Sequence, residues 1–122
     1  MALLRPLDPS FPIERQIAIE AGPVVLVNVV TLDKADEQTF LKTWQDDAAF
    51  MKRQPGFIST QLHRGIAGSC VFLNVAVWES VEHFRRAFAD PEFRAVLGGY
   101  PPSAVASPHL FRKVAVANVC VA

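Results

Sequence analysis

Two segments of the chain are apolar on both faces, and each carries one asparagine near its middle. They are PVVLVNVVTL (23–32), which contains Asn28, and SCVFLNVAVW (69–78), which contains Asn74. The first is rich in β-branched residues, which favour strands. A strand that is apolar on both faces is typical of the centre of a sheet that is covered on both sides. The fold must therefore supply a layer on each face of these strands.

The sequence predicts two helical regions between the strands. Residues 33–54 carry apolar side chains at helical spacing and are rich in acidic residues at the start. A second helix is predicted to follow Ser80 as its N-cap and to break at Asp90-Pro91, before a short helical piece over 91–97.

Two further strands complete the pattern. FISTQLHR (57–64) is predicted to form a hairpin with 69–78, and HLFRKVAVANVCVA (109–122) is predicted to close the chain. The order β-α-β-β-α-β is that of the α+β ferredoxin-like fold, in which a four-stranded antiparallel sheet has helices on one face. We therefore expect one domain over residues 23–122.

Residues 1–22 are expected to form an N-terminal arm, because Pro6, Pro9 and Pro12 interrupt its first half. Apolar and polar residues alternate only imperfectly over residues 13–22, which is consistent with either an edge strand or an arm that straps the fold.

Two helices cannot cover both faces of a sheet whose strands are apolar on both sides. A second copy of the same sheet would cover the remaining face through a two-fold, self-complementary contact. The sequence therefore predicts a homodimer whose two sheets face each other.

Composition and charge exclude several classes of partner. The chain is 51% apolar and 20% charged, and its 12 basic and 12 acidic residues form no basic stripe. This argues against binding to nucleic acid or to an anionic membrane. No apolar run has the length of a membrane span or the pattern of a signal peptide, so we expect a cytoplasmic protein. Neither Cys70 nor Cys120 lies in a motif with zinc-ligand spacing, and no metal site is expected.

The two asparagines define the candidate site. In the ferredoxin-like strand order their strands are adjacent, and alternation places Asn74 and Trp78 on one face. A buried amide without partners costs about 1–3 kcal/mol. Asn28 and Asn74 must therefore bond each other or a water within a solid core, or face a cavity between sheet and helices. The aromatic residues expected to wall such a cavity are Phe40, Trp44 and Phe84.

The motifs VNVVTL, MKRQPGF and NVAVWES, in this order, resemble the antibiotic biosynthesis monooxygenase family over residues 23 to about 120. The resemblance implies a dimeric α+β barrel with a pocket in each subunit between sheet and helices. One branch of the family contains cofactor-independent oxygenases that convert polycyclic phenols or anthrones to quinones with O2. In that branch an N-x-x-x-W motif on the third strand lines the site, and Asn74 and Trp78 match it.

Another branch of the family degrades haem. It uses an asparagine on the first strand, which Asn28 resembles, together with the tryptophan and a histidine ligand after the second helix. Residues 90–99, DPEFRAVLGG, contain no histidine. The resemblance therefore favours chemistry without haem.

We hypothesise a monooxygenase that needs no metal or cofactor and takes O2 and a small aromatic, polyketide-like or quinol substrate. Asn74 and Asn28 would donate hydrogen bonds to a phenolate or peroxide oxygen, and Trp78 would supply aromatic surface. Two alternatives remain open: a decarboxylase or isomerase on the same scaffold, and a small-molecule-binding protein without activity.

The sequence offers no clear general base. His109, at the start of the last predicted strand, is favoured as a substrate-binding residue at the pocket mouth. His63, expected to share a face with Phe57, could face the dimer interface, and His83 is expected to face solvent in the first turn of the second helix. Tyr100 lies in a loop that could act as a lid.

Overall fold

The computed structural model describes residues 2–122, which form a five-stranded sheet covered by helices on one face. The strands are β1 (Leu3–Leu4), β2 (Val24–Thr31), β3 (Phe57–Arg64), β4 (Val71–Trp78) and β5 (Val105–Phe111). The helices are α1 (Ile13–Gln16), α2 (Glu37–Lys52), α3 (Val81–Ala89) and α4 (Pro91–Leu97), with a 3-10 turn at Lys34–Asp36. The strand order is β1-β5-β2-β4-β3. The α+β ferredoxin-like fold is confirmed, but β1, parallel to β5, makes the sheet five-stranded and mixed rather than four-stranded and antiparallel.

Capping side chains explain where α3 and α4 begin. Ser80 Oγ accepts a hydrogen bond from the His83 N–H at 3.1 Å, so Ser80 is the N-cap of α3 as predicted. Asp90 Oδ1 accepts from the Glu92 N–H at 2.8 Å and starts α4 in the same way. Across residues 2–122, none of the helices combines the length and the apolar character that crossing a membrane requires.

The last strand lies earlier in the chain than its predicted range of 109–122. It spans Val105–Phe111, and residues 112–122 leave the sheet as a tail with an isolated bridge between Val116 and Cys120. The predicted range begins one residue after Pro108, whereas the observed strand contains this proline, which cannot donate to a ladder. The N–H of Leu110 donates to Gln16 Oε1 at 2.8 Å, on the side of β5 away from β2. Pro108 lies two residues before Leu110, so its backbone nitrogen points to the same side of β5, away from β2. The N–H that proline lacks therefore removes no hydrogen bond between β5 and β2.

The N-terminal arm lies along the edge of β5 in the same chain. The N–H groups of Leu3 and Arg5 donate to carbonyls of Ala104 and Ala106 at 2.9 and 2.8 Å. Ile13, only 3% exposed at the start of α1, packs into the core. Residues 13–22 therefore begin as a short helix rather than as an edge strand, and the arm protects an otherwise open sheet edge.

The sheet has one face under the helices and one face without a helix. Side chains along β2 and β4 alternate between the two faces, and those on the second face are aliphatic and partly exposed. We call this set the outer face; it comprises Val25, Val27, Val29, Leu73, Val75 and Val77.

Candidate functional site

A cavity of about 160 Å³ lies between the inner face of the sheet and helices α2, α3 and α4. Strands β2 to β5, the three helices and residues Ala2 and Leu4 of the arm contribute to its wall. Six of the seven residues selected from the sequence line it. These six are Asn28, Asn74, Trp78, Phe40, Trp44 and Phe84.

The two asparagines are direct neighbours across the central strand pair. Asn28 of β2 and Asn74 of β4 are paired in register, and both line the cavity. Asn74 Oδ1 accepts a hydrogen bond from Thr60 Oγ1 at 2.6 Å. Because this bond occupies the amide oxygen, the N–H groups of Asn74 remain available as donors.

Asn28 differs from Asn74 in having an unpartnered oxygen. Asn28 Oδ1 is buried and has no hydrogen-bond partner among residues 2–122. An acceptor left in this state costs about 1–3 kcal/mol, unless a water or a bound molecule supplies the donor. The side chain therefore presents unused hydrogen-bonding capacity beside the cavity.

Aromatic contacts fix the position of Trp78 in the wall of the cavity. Its side chain is 1% exposed and meets Phe57 and Phe84 edge-on, with ring centroids 5.4 and 5.7 Å apart. Trp44 on α2 is only partly buried. The cavity thus has one rigid aromatic wall and one aromatic side chain with more freedom.

A β-bulge brings Phe57 to the cavity. The β3–β4 register shifts between Phe57 and Ser59, so that Phe57 pairs with Trp78 and Ser59 with Val77. Phe57 and Thr60 consequently both line the cavity. The expectation that Phe57 shares a face with His63 is wrong, because it assumed unbroken alternation.

None of the histidines, all of which lie in the described residues, lines the cavity. Pro108 lines the cavity, and the side chain of the next residue, His109, lies on the opposite face of β5. His109 Nε2 lies 3.2 Å from Gln16 Nε2. His63 Nδ1 lies 3.1 Å from the Leu73 carbonyl oxygen. His83 is partly buried rather than solvent-facing, with Nδ1 2.7 Å from Ser80 Oγ. The lining residues therefore offer no imidazole ligand for a haem iron.

The acidic group of the cavity is Asp47, which the sequence interpretation missed. Tyr100 Oη donates to Asp47 Oδ2 at 2.6 Å, and both residues line the cavity. Burial raises the pKa of Asp47 from 3.8 to about 6, although the hydrogen bond from Tyr100 opposes this change. Burial, together with the charge of Asp47, raises the pKa of Tyr100 well above its usual range. Near neutral pH the pair is thus a carboxylate that accepts from a neutral phenol.

The sequence did contain a sign of this acid. Asp47 lies seven residues after Phe40 and three after Trp44, so it occupies a position of the apolar stripe of α2. An acidic side chain at such a position faces the interior.

Two arginines, Arg94 and Arg64, each lie over a phenylalanine ring but have different surroundings. Arg94 lines the cavity, is exposed, and places its guanidinium carbon 4.4 Å from the ring centroid of Phe88. Arg64 lies over Phe72 and forms an ion pair with Glu37. Arg94 is therefore the arginine at the rim of the cavity.

The sequence profile described as antibiotic biosynthesis monooxygenase matches residues 23–98. The chain belongs to this family. A deoxynogalonate monooxygenase from Streptomyces nogalater is 36% identical over 75 residues, which are 62% of this chain and 63% of that relative. The chain thus matches less than two thirds of the length of that family member.

Solved structures of family members share the fold. SnoaB from Streptomyces nogalater, a cofactor-independent oxygenase, superposes with a TM-score of 0.72 at 31% identity, over 80% of this chain and 99% of that chain. A candidate monooxygenase from Shewanella loihica gives a TM-score of 0.66 at 31% identity, with the same coverage. The matched profile begins at residue 23, so the arm that contributes Ala2 and Leu4 to the cavity lies outside it.

Proposed function

We propose that this protein is a cofactor-independent monooxygenase that oxidises a small aromatic, polyketide-like or quinol substrate with O2. The observation that carries the proposal is the pair of amides from neighbouring central strands, which line one cavity together with Trp78. Similarity to an oxygenase that works without a cofactor supports the same reaction class.

The cavity has the parts that such a reaction requires. An electron-rich phenolate can pass an electron to O2, and the two radicals must then recombine before either escapes. Aromatic walls bind the ring and limit access of water, while Asn74 can donate an N–H bond to the developing oxyanion or peroxide. Asn28 provides a second polar contact beside it.

The cavity volume limits the size of the substrate. Its 160 Å³ is close to that of an engineered cavity of about 150 Å³ that holds one benzene molecule. One or two rings are therefore expected to occupy the enclosed part, and a larger ring system would extend to the rim beside Arg94. An acidic substituent on such an extension would meet the guanidinium there.

Oxygen uptake with a panel of dihydroxynaphthalenes and anthrones tests the proposal. We expect Asn74→Ala to lower kcat by about 100- to 1,000-fold, the effect of removing one oxyanion donor. Gln45→Ala, at an exposed position of α2, is the matched amide control and should leave the rate unchanged. Uptake that Asn74→Ala does not alter would remove Asn74 from the reaction. Ligand binding without uptake on any substrate would favour the binding-protein alternative.

We infer that the working form is a homodimer in which a second copy covers the outer face. The supporting observation is that this face consists of aliphatic side chains on the central strands β2 and β4.

Sedimentation should give a dimer for the natural protein. Val27→Lys, which places two like charges near each other across a two-fold contact, should give a folded monomer, whereas Gln45→Lys should remain a dimer. A natural protein that sediments as a monomer at tens of micromolar would contradict the inference.

A further inference from the structure

The hydrogen-bonded pair Asp47–Tyr100 lines the cavity but has no part in the reaction outlined so far. Tyr100 is 9% exposed, and its hydroxyl donates to Asp47 Oδ2 at 2.6 Å. Both side chains line the same cavity as Asn28 and Asn74. A carboxylate and a phenol are thus in the space where the substrate would bind.

The pair is held in place by contacts between α2 and the loop after α4. Thr43, one helical turn before Asp47, donates its hydroxyl to the Gly99 carbonyl at 2.9 Å. A Cβ on Gly99 would lie 3.0 Å from Thr43 Oγ1, so only glycine allows this close approach without displacement. Phe40 packs on the Tyr100 ring, with the centroids 5.6 Å apart. The loop that carries Tyr100 is therefore fixed to α2 at two successive turns, and it is not a free lid.

Asp47 has no cationic partner to explain its position structurally. No lysine, arginine or histidine among residues 2–122 forms a salt bridge with Asp47. Besides Tyr100, the titratable or charged side chain that lines the cavity is Arg94, whose guanidinium lies over Phe88. A partly buried carboxylate with one neutral donor is costly to stability, and such groups are concentrated at functional sites.

We propose that Asp47 is the general base that removes the proton from the phenol or enol of the bound substrate, and that Tyr100 is a positioning residue that directs the carboxylate into the cavity. The inference rests on the oxygenase function proposed above. Asp47 is then the general base of the reaction, a role for which none of the three histidines is placed because none of them lines the cavity. Burial raises the pKa of Asp47 to about 6, so the carboxylate is ionised at neutral pH and is a stronger base than an exposed aspartate.

The proposed step moves one proton and no net electrons. The substrate O–H bond breaks, the electron pair remains on the substrate, and the proton becomes the carboxylic acid proton of Asp47. The substrate anion transfers one electron to O2, and the two radicals combine to a peroxide, which takes the proton back from Asp47. For an anthrone-type methylene, loss of water then leaves a carbonyl. The ring carbon loses four electrons, and O2 accepts four.

Oxygen uptake by Asp47→Asn, with two substrates of different acidity, tests this inference. For a dihydroxynaphthalene that is protonated at neutral pH, we expect kcat to fall by at least about 100-fold, as for loss of a general base. For a fluorinated analogue that is already ionised in solution, the fall should be less than about 10-fold, because no proton has to be removed. Asp46→Asn, the exposed neighbour that pairs with Lys42, is the matched control and should retain full activity with both.

Tyr100→Phe supplies a readout that a purely structural residue would not change. The natural protein should lose activity as pH falls through about 6, where Asp47 becomes protonated. The hydrogen bond from Tyr100 lowers the pKa of Asp47, so this inflection should move to higher pH in Tyr100→Phe and disappear in Asp47→Asn.

The outcomes separate this inference from the proposed function. Uptake by the natural protein that Asp47→Asn leaves intact, or lowers equally with both substrates, would overturn the base assignment and leave the oxygenase function standing. Absence of uptake by the natural protein with every substrate would overturn both. Circular dichroism of each variant excludes unfolding as the cause of lost activity.

Discussion

Replacing Trp78 by alanine is expected to lower the free energy of unfolding by about 3–5 kcal/mol, the range for removal of a buried aromatic side chain. Trp78 is 1% exposed and makes edge-on contacts with Phe57 and Phe84. Its loss would enlarge a space that already contains a cavity, and the packed rings around it cannot collapse to fill it. Urea unfolding, monitored by far-ultraviolet circular dichroism, measures the change.

Trp44→Ala is the matched comparison, because both tryptophans line the cavity but Trp44 is only partly buried. We expect Trp44→Ala to lower the free energy of unfolding by about half as much as Trp78→Ala, because the partly exposed Trp44 buries less apolar surface. Equal losses for the two variants would contradict the description of Trp78 as the rigid wall.

Asp47→Asn is expected to make the protein more stable at neutral and alkaline pH while lowering its activity toward substrates that are protonated in solution. The pKa of Asp47 is about 6 in the folded protein and near 3.8 when exposed. The folded state therefore binds the proton more tightly, and this contribution to stability is complete below about pH 4 and is lost as pH rises through about 6. Above that range the ionised, partly buried carboxylate costs about 1–3 kcal/mol, at 1.36 kcal/mol per pKa unit before allowance for solvent.

Asparagine removes that cost and can still accept from Tyr100 through its amide oxygen. Unfolding of the two proteins should therefore differ above about pH 7 and become similar below about pH 4. Asp46→Asn, at an exposed position, should change stability by less than about 0.5 kcal/mol at either pH. A destabilised Asp47→Asn, or a difference that is independent of pH, would contradict the account of this carboxylate.

The central strand pair could be predicted because its geometry depends only on alternation and strand order. Asn28 and Asn74 are both near the middle of strands that are adjacent in the ferredoxin-like order, and the structure pairs them in register. The side chains that share their face then follow from the two-residue period. This is why six residues selected from sequence line one cavity.

The periphery of the sheet could not be predicted in the same way. The bulge at β3 adds one residue between Phe57 and Ser59, and that residue, Ile58, is β-branched and typical of a regular strand. The predicted range of the last strand begins after Pro108, yet an edge position tolerates this proline within β5. His109 was consequently treated as the first residue of a strand, without a basis for choosing its face.

The acidic pair was missed for a different reason. Asp47 follows Asp46, and two adjacent aspartates on a helix suggest a solvated surface. Tyr100 comes from a loop more than fifty residues away, and only the tertiary structure brings its hydroxyl to the carboxylate. Contacts between side chains on a helix and a distant loop have no periodicity that a sequence can reveal.

The most direct test is the stoichiometry of oxygen consumption by protein from which metals and small molecules have been removed by chelation and dialysis. We predict that 1,5-dihydroxynaphthalene or an anthrone, each of which must gain one oxygen atom to become a quinone, is converted with one O2 consumed per product, and that added catalase returns no oxygen, because the second oxygen atom leaves as water. Consumption no faster than uncatalysed oxidation, or release of oxygen by catalase from accumulated peroxide, would contradict a monooxygenase reaction in this cavity.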